Sequence, residues 1–156
     1  MDVRLREVRD EDLPVFWEQL RDPVLHQAAA FTRDYHYDRD AFDRFWATVR
    51  SAPTDLLRTV TADGDVAGSA AVFGPLAERE VTYTLGRAFW GRGIATRALA
   101  ELIALEGTRP LHAEAAADNT GSLRVLEKCG FRVAGAKREF ARARDAEIDV
   151  VRLVLD

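Results

Sequence analysis

The chain has 156 residues, 47% apolar and 31% charged, the size and make-up of one domain that buries roughly two-thirds of its unfolded surface without a metal or disulfide staple. Its formal charge of −4, from 22 basic and 26 acidic residues, lacks the net basic footprint of a nucleic-acid surface. No apolar run approaches the ~20 residues that span a bilayer, the opening Met1-Asp2-Val3-Arg4-Leu5-Arg6 lacks the apolar stretch of a secretory signal, and the single Cys129 has no internal partner, so a cytoplasmic protein is expected.

Val3 to Val8 alternate apolar and polar residues, the period of a half-buried strand. Asp10 then supplies a helix cap, and Leu13, Phe16, Trp17 and Leu20 recur at helical spacing until Pro23 ends the helix. A second helix runs from Asp40 to Val49, with Phe42, Phe45, Trp46 and Val49 on one side as core. Leu56 to Thr61 and Val66 to Phe73 flank Asp63-Gly64, a hairpin signal. Glu80 to Leu85 is the next strand, after the Gly74-Pro75 break.

The period then changes. Ile94, Ala98, Leu102 and Leu105 mark a helix ending near Gly107, and Leu111 to Ala115 is a short strand. Asn119 to Lys128 reads as a helix stopped by Gly130, and Phe131 to Ala136 and Ile148 to Leu155 are closing strands. Strands in a meander followed by β-α-β-α-β imply a mixed α/β sheet covered by helices. No linker divides the chain, so residues 1–156 read as a single domain.

The most informative stretch is Thr82 to Leu99, TYTLGRAFWGRGIATRAL. A strand ends at Leu85, a short connection carries Gly91 and Gly93, and a helix starts at once. The first helical turn has unpaired N–H groups and partial positive charge, and glycines before it let those donors approach an anion. With Arg92 and Arg97 nearby, this is a site for a phosphate or diphosphate; the plainer alternative is a glycine turn with solvated arginines. No Walker lysine follows, and the three-glycine dinucleotide pattern is absent.

WGRGIATRAL resembles the acetyl-CoA loop of the GNAT N-acetyltransferase superfamily, with Gly93 and Ala95 at its last two marked positions and Trp90 where Gln or Arg is commoner. NTGSLRVLEKCGF, from Asn119 to Phe131, is similar to a signature of the branch containing the Rim-type ribosomal-protein N-terminal acetyltransferases. The resemblance implies a mixed, mostly antiparallel sheet of six to seven strands under about four helices, with the fourth strand splaying from the fifth after Leu85. It also implies direct attack of an amine on the thioester of acetyl-CoA, the amine being a small molecule or a protein N-terminus, and a homodimer is possible.

By the same resemblance Thr84 and Leu85 contact the pantetheine arm, and the Leu85 N–H serves as oxyanion donor. Trp90, Gly91, Arg92, Gly93, Ile94, Ala95 and Thr96 hold the diphosphate. Glu80 is the expected base, with a solvated strand end as the alternative. Leu126 stands where many relatives carry an acidic tyrosine, so that role is vacant. Ser122 lies near the sulfur and Asn119 contacts the cofactor arm, although both residues also suit a helix start. Phe31, Tyr35, His36 and Tyr37 are candidate acceptor-site residues, the alternative being that they pack the helix pair, and Asp149 is a weaker candidate.

His26, His36 and His112 are scattered without metal-ligand spacing, and Cys129 has no visible base partner, so neither a metal nor a cysteine nucleophile is expected. Two rival readings remain: an acyl-CoA-binding sensor without turnover, and a nucleotide-binding module that uses the same phosphate loop.

Overall fold

The computed structural model describes residues 1–29 and 38–156. Seven strands form one sheet in the order β1-β2-β3-β4-β5-β7-β6. They are β1 (Val3–Arg6), β2 (Leu56–Ala62), β3 (Asp65–Phe73), β4 (Glu80–Leu85), β5 (Leu111–Ala116), β6 (Arg132–Ala141) and β7 (Ala146–Leu155). Every pairing is antiparallel except that of β4 with β5. The five helices among the described residues are α1 (Leu13–Leu20), α2 (Pro23–Ala29), α3 (Arg39–Ser51), α4 (Ile94–Leu105) and α5 (Thr120–Lys128).

Side-chain alternation sorts the core onto two faces. Val60, Val81 and Leu85 meet Leu99 and Leu102 of α4 and Leu126 of α5 on one face. On the other, Phe16, Leu20 and Leu25 pack with Phe42 and Trp46 of α3 against Leu57 and Val66. Phe16 stacks on Trp46 with ring centroids 5.1 Å apart. The aromatic stripe of α3 is therefore core, as its spacing implies.

A charged knot ties α1 to the sheet. Asp12 is fully buried and accepts hydrogen bonds from both terminal nitrogens of Arg6 (2.7 and 2.8 Å), from Thr59 Oγ1 (2.6 Å) and from the Arg9 amide (2.9 Å). Burial opposes its charge, but these donors outweigh it and hold the carboxyl down at about 2. The expected cap, Asp10, instead lies exposed in a 3₁₀ turn and pairs with Arg50 at 2.7 Å. α1 begins at Leu13, two residues later than an Asp10 cap would start it.

Other expectations are corrected in detail. Pro23 does not merely end α1; it opens α2, where its missing N–H costs nothing. β6 continues five residues past Ala136, because β7 pairs with it as far as Ala141 and Ala146.

The divergence of β4 from β5 also starts earlier than Leu85. The two strands register at one pair, Glu80 with His112, where the His112 N–H bonds the Arg79 carbonyl at 2.8 Å. Backbone groups alternate sides along a strand, and Gly86 N–H turns to Ala67 O of β3. Tyr83 and Leu85 therefore direct their backbone groups into the gap between β4 and β5. Thr84 has its carbonyl against β3, where a side chain on Gly68 would collide with it. The β2–β3 register shifts at Val60/Thr61, leaving Ala67 as an extra residue whose carbonyl accepts both the Gly86 N–H and Gln19 Nε2.

No helix of the described residues is long and apolar enough to cross a membrane.

Candidate functional site

The open end of the β4–β5 gap leads into a cavity of about 560 Å³. Thr84 and Leu85 of β4 border it, as do Trp90, Gly91 and Gly93 of the following loop. Ile94, Ala95 and Thr96 contribute the first turn of α4, and Asn119 and Ser122 the start of α5. Two separate stretches of sequence, one before α4 and one before α5, are thus brought to one place.

The loop is shaped for close approach of a ligand. Gly91 and Gly93 have φ of +72° and +77°, a region unfavourable to other residues, and a Cβ on either would meet nothing within 4 Å. The first bond of α4 runs from Arg97 N to Gly93 O (3.2 Å), and no side chain caps the helix. The N–H groups of Ile94, Ala95 and Thr96 therefore stand without helical partners at the cavity edge. Trp90, 40% exposed, folds back to donate its indole N–H to the Leu85 carbonyl at 2.9 Å, linking the loop to the edge of β4.

The arginines of the loop do not join this group. The Arg92 guanidinium lies over the Phe89 ring, 5.8 Å from its centroid, and Arg97 donates to the Met1 carbonyl at 2.6 Å. The cations on the cavity wall are Arg124 and Lys128 of α5, which the sequence reading did not single out. Among the described residues bordering the cavity there is no Asp or Glu.

A second residue that sequence reasoning missed is Tyr83. It faces α5, and its hydroxyl lies 2.8 Å from Ser122 Oγ and 3.3 Å from the Ser122 carbonyl. Burial pushes the phenol pKa up, so the group stays protonated through neutral pH. Leu126, the position that the resemblance gives to a tyrosine, is 2% exposed and packs within the core. Asn119 caps α5, accepting the Ser122 N–H at 3.1 Å, while its amide nitrogen donates to Ala28 O of α2 at 3.3 Å.

Glu80 sits at the opposite parity from Val81, Tyr83 and Leu85, on the other face of the sheet. It is half-buried, and its carboxylate makes no hydrogen bond or ion pair with a described residue. Burial, and then the charge of Glu114, push its pKa up, against weaker opposite pulls from Lys137, His112 and Arg152. Glu114 is itself held by Lys137 at 3.1 Å.

Phe31, Tyr35, His36 and Tyr37 lie outside the described residues. Asp149 is exposed and paired with Arg138 at 2.9 Å, away from the cavity wall. Burial raises the Cys129 thiol pKa, and Sγ rests 3.5 Å from the Thr96 carbonyl, an arrangement for packing. No group of three or more metal-ligating side chains occurs among the described residues.

Residues 2–132 match the family model described as an acetyltransferase (GNAT) domain. A segment of 75 residues is 33% identical to an uncharacterized N-acetyltransferase p20 of Bacillus licheniformis, spanning 46% of this chain and 42% of that protein, less than half its length. The fold is similar to a spermidine N-acetyltransferase of Vibrio cholerae solved with CoA and spermine, with TM-score 0.85 and 16% identity over 98% of this chain and 94% of that one. It is also similar to RimJ of Mycobacterium smegmatis in complex with CoA-disulfide, with TM-score 0.80 and 22% identity over 98% and 81% of the respective chains. At these identities the two structures speak for the fold.

Proposed function

Because the chain belongs to the GNAT acetyltransferase domain family, we propose that it moves an acetyl group from acetyl-CoA directly onto a primary amine. The observation that carries this reading is the meeting of unpaired helix N–H groups, an open strand edge and a half-buried phenol around one cavity free of carboxylates among its described residues. That donor set fits a long ligand with an anionic end and amide groups along its arm.

When bound, acetyl-CoA supplies an activated carbonyl and a thiolate leaving group. The amides of Ile94, Ala95 and Thr96, with the loop from Trp90 to Gly93, would hold the diphosphate. Arg92 reaches it only by leaving Phe89, and the reading does not need it. The edge of β4 at Tyr83 and Leu85 would pair with the pantetheine amides as an added strand does, with the Leu85 N–H free for the oxyanion. Thr84 borders the arm by its side chain, and Asn119 fixes the start of α5 beside it.

Proton handling is divided by the sheet. Glu80, on one face, accepts the amine proton, directly or through water; the residue faces the side away from the cavity, and a carboxyl of raised pKa is a better base. Tyr83 and Ser122, on the other, donate to the departing sulfur. Tyr83→Phe removes that donor, so kcat is expected to fall about tenfold, the worth of one hydrogen bond to a charge, with acetyl-CoA affinity unchanged. An unchanged kcat would leave the phenol a structural partner of Ser122.

The acceptor is a small-molecule amine or a protein N-terminus, and Phe31, Tyr35, His36 and Tyr37 are the candidates for its site. A screen of peptides, polyamines, aminoglycosides and amino acids, read by thiol release, tests the whole reading. Release with at least one amine supports it. Tight binding of acetyl-CoA with no release from any amine would favour the sensor instead, the reading that Leu126 in the usual tyrosine position supports. Binding of ATP in preference to acetyl-CoA would overturn both.

A further inference from the structure

We propose that Gly68 and Gln19, neither of which borders the cavity, are positioning residues for the acyl transfer. Together they set the plane of the Thr84–Leu85 peptide, and so the aim of the Leu85 N–H at the oxyanion. The inference rests on the reaction proposed above and adds the groups that hold its oxyanion donor in place.

Close approach singles out this peptide. Of the ten glycines, Gly68 is the one where an added side chain would meet the shortest contact. A Cβ there would overlap the Thr84 carbonyl oxygen and lie 2.9 Å from both Thr84 C and Leu85 Cα, three atoms of one peptide unit. The next tightest is Gly86, the residue after Leu85, where a Cβ would lie 2.8 Å from Gln19 Nε2. Neither glycine has a positive φ, so space and not backbone conformation excludes a side chain. Both lie against the end of β4.

Planarity turns the first contact into an aim. In a trans peptide the C=O and the N–H point opposite ways. With the Thr84 carbonyl seated on Gly68 of β3, the Leu85 N–H is directed away from β3 and into the gap. The following peptide is anchored at both ends. Gly86 N–H bonds the Ala67 carbonyl at 2.9 Å, and the Leu85 carbonyl accepts the Trp90 indole N–H at 2.9 Å. Gln19, half-buried on α1, donates its Nε2 to the same Ala67 carbonyl at 3.1 Å and to that of Val66 at 3.4 Å. Both peptides that flank the Leu85 Cα are therefore fixed from the β3 side, by a missing Cβ and by one side-chain amide. Such placement matters because an error of about 1 Å in a reacting geometry costs on the order of 10²-fold in rate.

The test compares thiol release with coenzyme A binding. Coenzyme A has no acyl carbonyl, so its affinity does not report on the oxyanion donor. With the amine of the screen above that gives the fastest release, Gly68→Ala should lower kcat about 10²-fold, as misaiming one such donor does. Gln19→Met keeps the side-chain length without a donor, and Gly86→Ala displaces the flexible Gln19 amide; each should lower kcat about fivefold to tenfold. Calorimetric affinity for coenzyme A should stay within about threefold in all three, because the contact is made only in the transition state. The Gln19→Met/Gly86→Ala double variant should be no slower than the worse single one, since both changes remove the same bond. Thermal unfolding, run beside the assay, separates lost turnover from lost fold, and if Gly68→Ala does not fold the other two variants decide the question. Unchanged kcat in a folded Gly68→Ala or in both of the others, or equal losses of kcat and coenzyme A affinity, would overturn the positioning role while leaving the transfer reaction intact. Failure of the wild type to release thiol with every amine of the screen would overturn the transfer reaction and this role with it.

Discussion

Asp12→Asn is expected to cost the fold about 3 kcal/mol, the low end of the 3–5 kcal/mol seen when one partner of a buried pair is removed. Asp12 is fully buried, whereas the Arg6 side chain keeps 25% exposure, so water can partly take up the orphaned guanidinium. Acid sensitivity should go with it. The folded carboxyl titrates at about 2, below the ~3.9 of an unfolded aspartate. The stabilisation is therefore complete above pH ~4 and lost as pH falls toward 2, a change of about 2 kcal/mol. Urea unfolding at pH 5 and at pH 2.5 should show a falling midpoint in wild type and a smaller fall in Asp12→Asn. Equal pH slopes in the two proteins would place the acid-labile group elsewhere.

That knot also shows what the linear chain conceals. Asp10 and Asp12 both precede the same helix, and propensity alone cannot separate a surface cap from a buried anchor. The decision belongs to Arg6 and to Thr59, the latter on β2 and 47 residues away. The strands and α3 were legible because alternation and helical spacing are local consequences of burying one face. The phosphate loop was legible for a similar reason: Gly91 and Gly93 announce backbone conformations that other residues avoid.

Charge direction was not legible. Arg92 and Arg97 stand beside the loop in sequence but turn to Phe89 and Met1, whereas Arg124 and Lys128 arrive on the cavity wall from a different helix. Tyr83 was hidden the same way, because its hydroxyl acquires meaning only when Ser122, 39 residues on, packs against it. The alternation of β4 was the available signal: it puts the tyrosine toward α5 and Glu80 away from it.

The Glu80 carboxylate is where that alternation has its largest functional consequence. Under the proposed reaction, Glu80→Gln should lower kcat by about 10²-fold or more with little change in acetyl-CoA affinity, since general bases contribute 10²–10⁴-fold and this residue does not border the cavity. The pH profile gives a second handle. Burial and Glu114 raise the Glu80 pKa, so the acid limb of kcat/KM should fall at a higher pH than an ordinary glutamate would give. Glu114→Gln removes the neighbouring charge and should shift that limb to lower pH. Stability runs the other way from Asp12. An acid whose folded pKa is raised favours the fold below its unfolded pKa, and that contribution is lost as pH rises through the folded value. Glu80→Gln should therefore leave the protein as stable at neutral pH, or slightly more so, while it loses turnover. Unchanged turnover, or an acid limb indifferent to Glu114, would return Glu80 to the role of a solvated strand end and leave the amine proton to water.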